Sequence, residues 1–160
     1  GKIGILEQKG DNVFLGYWGM PEKTSEAFTQ DNFFITGDLA QRDENGYITL
    51  VGRDSDMIIS GGLNVYPKEV ENLIDDIDEV LESAVIGVPH SDFGEGVVAV
   101  VVLKEKMKDP VKKIQNTLKS NLAKFKQPKL IKLVENLPRN SMGKVQKATL
   151  RVQYDKLFKN

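Results

Sequence analysis

One uninterrupted apolar run, residues 97–103 (Val-Val-Ala-Val-Val-Val-Leu), constrains the fold of this chain more than any other stretch. The run is far shorter than the roughly 20 residues that a membrane-spanning helix needs. A short apolar run rich in β-branched residues is typical of a strand that is covered on both faces. Residues 85–88 have the same character, so the sequence predicts two buried strands.

Helical patterns alternate with these strands after Gly52. A helix is predicted over residues 67–76, because Pro67 suits a first helical position and Val70, Leu73 and Ile74 recur at helical spacing. Strands that alternate with helices indicate a small α+β domain over residues 53–160. A short apolar segment lies at 57–59, and further predicted elements are a strand at 129–134, a helix beginning at Asp109-Pro110, and a helix over 148–158.

The first fifty residues predict strands and turns instead. Asp43-Glu44-Asn45-Gly46 is a strong hairpin signal, because Asn-Gly tolerates positive φ. This part carries little apolar sequence of its own, so residues 1–52 are predicted to be the C-terminal remnant of a larger domain. The predicted elements are strands at 2–6, 12–17, 33–40 and 47–52, and a short helix over 21–28.

Charge and composition bear on the class of partner. The net charge is −1, so the chain lacks a global basic field, and we expect neither nucleic acid nor a membrane as partner. There are no cysteines and one histidine, so disulfides are excluded and no metal site is expected. The N-terminal residues show no basic-then-apolar signal pattern, and the expected location is cytoplasmic.

Three polar segments contain candidate nucleotide-binding groups. Residues 138–144 form a turn-rich loop in which Gly143 permits close backbone approach and Lys144 suits charge neutralisation at a reacting phosphate. A carboxylate at a strand end, as at Asp38, can accept hydrogen bonds from ribose hydroxyls, and the Arg53 guanidinium can donate to hydroxyls or phosphate. Physical chemistry alone favours the plainer alternatives, a solvated lysine, a turn aspartate and a surface ion pair.

Two further segments suit a slender or phosphorylated ligand. Gly61-Gly62 fits either a narrow ligand contact or a plain turn, with little to separate the two. Residues 123–129 place cations around Phe125, which suits a phosphorylated nucleotide or single-stranded nucleic acid. A solvated link between a helix and a strand is the simpler interpretation of that segment.

Five segments occur in a specific order and spacing: residues 16–24 (GYWGMPEKT), 34–39 (FITGDL), 52–62 (GRDSDMIISGG), 66–71 (YPKEVE) and 138–144 (PRNSMGK). In this order they resemble the adenylate-forming superfamily, which includes acyl-CoA synthetases, luciferases and peptide-synthetase adenylation domains. Within that superfamily, residues 33–38, 64–69, 90–96 and 142–147 look most like malonate–CoA ligases. The resemblance covers essentially the whole chain.

The resemblance implies an ATP-dependent acyl-CoA synthetase that forms acyl-AMP from a carboxylate and then the CoA thioester, with Mg²⁺ accompanying ATP. It implies a large-domain remnant followed by a mobile C-terminal domain, a short sheet flanked by helices. Lys144 would be catalytic and, with Asp38 and Arg53, would bind ATP or AMP. The residues implied for CoA are Gly61, Gly62, Phe93, Phe125 and Lys129.

Three departures from the family pattern bear on function. The hinge position holds Ser55, where relatives usually have aspartate or lysine, and Gln127 stands where some relatives have arginine. The phosphate loop and the acyl pocket lie outside this sequence, so the chain is expected to need a missing N-terminal domain and to be inactive alone. The alternative is a freestanding module that binds CoA or a nucleotide without catalysis.

Overall fold

The computed structural model describes residues 1–106 and 108–158 of the chain. Its backbone divides into two compact units, Gly1–Ser55 and a second unit that begins at Asp56. Both units combine antiparallel strands with helices, so the α+β class is confirmed. The predicted domain assignment, a remnant over 1–52 and a mobile domain over 53–160, stays a prediction.

The first unit is a three-stranded antiparallel sheet with one short helix. The strands are β1 (Ile3–Gln8), β2 (Phe34–Arg42) and β3 (Ile48–Arg53), in the order β1-β2-β3, and the helix is α1 (Pro21–Glu26). The predicted turn joins β2 to β3, and Gly46 takes a φ of +90° there. Buried Leu39 and Ala40 lie on the central strand.

The predicted strand at residues 12–17 is wrong. This segment is a loop that begins with a turn, in which the Val13 amide donates to the Gly10 carbonyl at 3.0 Å. Its aromatic residues pack onto other rings rather than into a strand ladder, with Phe14 5.1 Å from Phe34 and 5.0 Å from Tyr17 between ring centroids. Aromatic enrichment therefore reflected packing rather than strand formation.

The second unit contains a five-stranded sheet and three helices. Strands β4, β5 and β6 run over Ile58–Ser60, Leu63–Val65 and Val80–His90, while β7 and β8 run over Gly94–Leu103 and Leu130–Leu133. The helices are α2 (Pro67–Asp75), α3 (Pro110–Asn121) and α4 (Lys147–Gln153). The strand order is β5-β4-β7-β6, and β8 pairs in parallel with β7.

Strand β7 is buried on both faces, as the apolar run predicts. Alternate residues point to opposite faces of a strand, and here each face has its own core. Val97, Ala99 and Val101 pack with apolar residues of α2 and α3, whereas Val98 and Val100 pack with Leu150 of α4. The sheet is therefore a middle layer between helices.

Elements of the second unit differ in several places from the sequence-based expectation. Strand β6 begins at Val80, five residues before the predicted start. The prediction missed this part because Glu82 and Ser83 are polar, and their side chains are paired with Arg139 and Asp75 in the fold. Strand β5 was not predicted. The last helix ends at Gln153 instead of residue 158, and Phe158 forms a bridge with His90.

Two findings concern absent features. No helix within residues 1–106 and 108–158 is long and apolar enough to cross a membrane. In the same ranges, no group of three or more His, Asp or Glu side chains is arranged to hold a metal ion.

Asp75, at the end of α2, generates a prediction about pH. Burial raises the pKa of its carboxyl above the ordinary value of 3.8, although the Ser83 hydrogen bond and the Lys68 charge lower it in part. A raised pKa means stabilisation that is complete below the unfolded pKa and lost as pH rises through the folded pKa. Asp75→Asn keeps an acceptor for the Ser83 hydroxyl but cannot ionise.

We therefore expect the Asp75→Asn protein to gain stability over the unsubstituted chain as pH rises from about 4 to about 7. Urea unfolding followed by circular dichroism across this range measures the difference. Asp76→Asn is the matched control, because Asp76 is the exposed neighbour on the same helix end. A stability difference that does not change with pH would contradict the expectation.

Candidate functional site

Asp38 and Arg53, both predicted to bind nucleotide, lie side by side in the first unit. They are directly paired residues of β2 and β3, and Nε of Arg53 lies 2.8 Å from Oδ1 of Asp38. The Asp38 amide donates to Oγ1 of Thr36 at 3.0 Å, and Nη1 of Arg53 donates to the Thr36 carbonyl at 2.9 Å. The pair is partly exposed, so it offers both an acceptor and a donor to a sugar with two hydroxyls.

Gly61 and Gly62 form the two-residue turn of the β4–β5 hairpin. Ser60 pairs with Leu63 across it, and φ is +60° at Gly61 and +77° at Gly62. Positive φ at both central residues is the requirement of the tight hairpin turns that favour glycine. A β-carbon at Gly61 would lie 3.4 Å from the Phe93 ring, and one at Gly62 would meet no heavy atom within 4 Å.

Phe93 joins this turn to the start of β7. Its carbonyl accepts a hydrogen bond from the Gly61 amide at 2.8 Å. The ammonium of Lys129 lies 3.7 Å from the centre of the Phe93 ring, in cation–π contact. The structure therefore brings together three of the residues predicted to bind CoA, namely Gly61, Phe93 and Lys129.

His90 supports Phe93 from the end of β6. The two ring centroids are 4.8 Å apart in edge-to-face geometry, and the centroid of the Phe158 ring also lies 4.8 Å from that of His90. Nδ1 of His90 accepts a hydrogen bond from the Asp92 amide at 3.1 Å, which fixes the orientation of the imidazole. The sequence patterns gave no indication of this aromatic cluster.

Phe125 lies on a short 3₁₀ turn, Lys124–Lys126, and its ring is 37% exposed. The ammonium of Lys126 lies 5.9 Å from the Phe125 centroid and 2.7 Å from Oε1 of Glu69. The ion pair with Glu69 of α2 anchors the turn and leaves the ring accessible. Phe125 thus has its own contacts and does not join the Phe93 stack.

Lys144 lies on a loop that one side chain holds in shape. Oδ1 of Asn140 accepts hydrogen bonds from the amides of Met142 at 3.0 Å and Lys144 at 2.9 Å. The Asn140 amide donates to the Lys144 carbonyl at 3.0 Å, and Gly143 takes a φ of +77° to complete the turn. The backbone around Lys144 is therefore fixed, although the residue itself is exposed.

Arg139 attaches this loop to the sheet. Its guanidinium donates to the Gly143 carbonyl at 2.5 Å and pairs with the Glu82 carboxylate of β6. Within residues 1–106 and 108–158, the Lys144 ammonium has no hydrogen-bond or ion-pair partner. The loop thus presents a positive charge on a fixed backbone, which suits a charge that develops on a bound ligand.

Sequence reasoning did not single out Asn140 or Arg139, although both lie in the segment that contains Lys144. An asparagine three residues before a turn glycine is a detectable signal for a side chain that hydrogen-bonds to the local backbone. The partner of Arg139 was not detectable, because Glu82 is distant along the chain.

The chain is similar to known proteins both in its second unit and along nearly its whole length. A family model described as AMP-binding enzyme C-terminal domain matches residues 69–144. The chain is 43% identical to the mitochondrial medium-chain acyl-CoA ligase of Bos taurus over 152 residues. These 152 residues are 95% of this chain and 25% of that protein.

Two solved structures share the fold. ATP-bound MatB from Rhodopseudomonas palustris is 54% identical, with a TM-score of 0.89 over 99% of this chain and 32% of MatB. The o-succinylbenzoate CoA synthetase of Bacillus subtilis, solved with its acyl-adenylate intermediate, is 31% identical, with a TM-score of 0.87 over 94% of this chain and 30% of that protein. The chain thus spans between a quarter and a third of these relatives.

The Asn140 contacts predict that Asn140→Ala loosens the loop around Lys144. Two backbone amides lose their acceptor, and a hydrogen bond contributes about 0.5–1.5 kcal/mol. We expect the Met142 and Lys144 amides to exchange with solvent about tenfold faster. Amide hydrogen exchange by NMR measures this, with Asn116→Ala on the exposed face of α3 as control. Equal exchange rates in both variants would contradict the role of Asn140.

Proposed function

We propose that this chain is the C-terminal part of an ATP-dependent acyl-CoA synthetase, since a family model described as AMP-binding enzyme C-terminal domain matches residues 69–144. The observation that carries this proposal is the exposed Lys144 ammonium, which has no partner among the described residues and lies on a loop that Asn140 fixes. The recognition of an adenylate-forming enzyme rests on the family match and on relatives named as CoA ligases and synthetases.

In the first step, a substrate carboxylate oxygen attacks the α-phosphorus of ATP, the bond to pyrophosphate breaks, and acyl-AMP forms. The attacking and leaving groups are both negatively charged, so a positioned cation lowers the barrier. Lys144 provides that cation. Asp38 accepts hydrogen bonds from the ribose hydroxyls, and Arg53 adds a donor beside it.

In the second step, the CoA sulfur attacks the acyl carbon, the bond to AMP breaks, and the thioester forms. Gly61 and Gly62 line the pantetheine passage, because a turn without side chains lets a slender chain pass. Phe93 and Phe125 contact the adenine of CoA, and Lys129 contacts a CoA phosphate. Between the steps the domain rotates about the hinge at Ser55, whose small side chain permits a wide range of backbone angles.

Malonate is the proposed carboxylate. Its support is the motif resemblance to malonate–CoA ligases, together with the 54% identity to the ATP-bound protein MatB. ATP and CoA are the proposed co-substrates. Mg²⁺ is proposed only as the companion of ATP, because the described residues form no cluster that would hold it, and no step is assigned to it.

The cytoplasmic location and the absence of nucleic-acid and membrane partners stay predictions. One relative, from Bos taurus, is named as mitochondrial. The acyl preference is tested on the parent enzyme, by comparing thioester formation from malonate, acetate and a medium-chain acid. A parent enzyme that prefers either other acid would contradict malonate while leaving the synthetase proposal intact.

The role of Lys144 is tested in a chimera in which this chain replaces the matching 32% of R. palustris MatB. We expect Lys144→Ala to lower acyl-AMP formation by about 100-fold to 1,000-fold, the usual effect of removing a group that stabilises developing charge. Thioester formation from supplied acyl-AMP is expected to persist, since Lys144 acts on the first step. Pyrophosphate release and thioester formation are measured separately.

Lys132→Ala is the control, because Lys132 lies on β8 away from the Lys144 loop. Adenylation by the Lys144→Ala chimera at the unsubstituted rate would contradict the assigned role. The chain alone, with ATP, Mg²⁺, malonate and CoA, is expected to release no AMP above background. Malonate-dependent AMP release by the chain alone would mean that it contains a complete site.

A module that binds CoA without catalysis is the second candidate. It is favoured by the Gly61, Phe93 and Lys129 contacts, which are all made within one compact unit. Such a module would bind CoA at micromolar concentration without any other domain. A synthetase fragment, in contrast, need not bind CoA in the absence of the rest of the enzyme. The cation–π contact would hold Lys129 near the adenine site and its phosphate.

For this module, calorimetric titration of the chain with CoA is expected to show binding that weakens about tenfold in Lys129→Ala, because a charge-assisted bond contributes about 1.5–3 kcal/mol. Phe125→Ala should also weaken binding by removing a stacking surface. Lys112→Ala on α3 is the charge-matched control. The absence of titratable binding would count against the module, and salt-dependent binding of oligonucleotides would instead support a nucleic-acid role.

A further inference from the structure

A largely buried lysine lies three residues after Lys144, at the start of α4. Nζ of Lys147 is 2.6 Å from Oε1 of Glu71 and 4.0 Å from Oδ2 of Asp56. The Lys147 side chain is 18% exposed and that of Glu71 is 7% exposed. A buried charge requires a partner, so these residues depend on one another.

Glu71 also accepts a hydrogen bond from the edge strand of the sheet. Strand β6 lies at the end of the strand order, and its Val85 amide donates to Oε1 of Glu71 at 2.8 Å. Glu71 belongs to α2, which packs on one face of the sheet, whereas Lys147 belongs to α4, which packs on the other. The ion pair therefore joins the two helix layers around the edge of β6.

A second cation on α4 extends the chain of charges. Arg151 follows Lys147 by four residues, so both side chains lie on the same face of the helix. Nη2 of Arg151 donates to Oδ1 of Asp56 at 2.8 Å. Asp56 is the first residue of the second unit and the last residue of the 3₁₀ turn Asp54–Asp56, directly after Ser55.

We propose that Lys147 and Arg151 are positioning residues that attach Asp56 to α4, the helix that follows Lys144. Through this attachment, the 3₁₀ turn Asp54–Asp56 and the loop that contains Lys144 move as one body. The inference rests on the proposed synthetase function for its catalytic consequence. Without these contacts, the backbone would still connect residues 54–55 to Lys144 through β4 and the sheet. With them, the connection runs from Asp56 directly to α4.

A role in stability alone would not require charges here. Well-packed aliphatic residues often replace a buried ion pair without loss of stability. The chain instead places four charged residues, from α2, the 3₁₀ turn and α4, within contact of one another. Their directional contacts fix the position of Asp56 relative to α4 more strictly than apolar packing would.

The first test uses the chain itself and needs no activity. Arg151→Met removes a cation and keeps an unbranched side chain. We expect the α4 amides of Leu150 and Val152 to exchange with solvent about five- to tenfold faster, as loss of about 1 kcal/mol implies. Lys113→Met is the matched control, because Lys113 forms an ion pair with Glu79 at 2.5 Å elsewhere in the same unit.

The second test measures the two half-reactions in the MatB chimera. We expect Arg151→Met to lower acyl-AMP formation by about tenfold to 100-fold, since a misplacement of about 1 Å at a reacting group has an effect of this size. Thioester formation from supplied acyl-AMP should be unchanged. Arg151→Lys, which keeps the charge, should recover most of the lost rate, and Asp56→Asn should reproduce the selective loss in a side chain of the same size.

An equal fall in both half-reactions, or no fall in either, would overturn the proposal, because a purely structural role predicts no selectivity. Unchanged exchange of the α4 amides in Arg151→Met would overturn it independently of activity. Failure of the proposed function gives a different result, since the unsubstituted chimera would then form no acyl-AMP, or Lys144→Ala would leave that step intact. In that case, the exchange of the Leu150 and Val152 amides alone tests whether Arg151 holds α4 to Asp56.

Discussion

Burial of β7 on both faces is the constraint on which the second unit depends. A strand with apolar side chains on both faces cannot meet solvent, so helices must cover it from both sides. Helices α2 and α3 cover one face, and α4 with Leu137 covers the other. Because apolar burial contributes about 25 cal/mol per Å², these two cores supply most of the driving force for folding the unit.

The candidate ligand-binding groups of the second unit lie where this layered core ends. The start of β7 pairs with Ser60 beside the Gly61-Gly62 turn, and Phe93 immediately precedes the strand. The Lys144 loop follows β8, and α4 leads from that loop back onto the sheet. Rigid strands thus end in short turns, which fix candidate ligand contacts without covering them.

Periodicity and turn chemistry in the sequence were sufficient for the framework. They predicted α2, α3 and the buried core of β7, and the family resemblance identified the segment around Lys144. Partner choice was beyond them, because Glu71–Lys147 and Glu82–Arg139 join residues that are far apart along the chain and that chain folding alone brings together. The wrong strand at residues 12–17 has a similar origin, since tertiary contacts of Phe14 outweighed local propensity. The roles assigned to Asp38, Arg53, Phe93 and Lys129 stay predictions, although their geometry is compatible with them.

Lys144 and Lys147 are three residues apart but differ in whether their ammonium groups are paired within the described residues. Lys147 is neutralised by Glu71 and largely buried, so its charge is committed to holding α4 in place. Lys144 has a fixed backbone but, among the described residues, no partner for its ammonium. A cation that is already paired would have to break that pair before it met a charge on a substrate. Asn140 fixes the backbone around Lys144, and Lys147 holds the start of α4 that follows it, so a fixed backbone and an available charge occur together, which is the arrangement that electrostatic preorganisation requires.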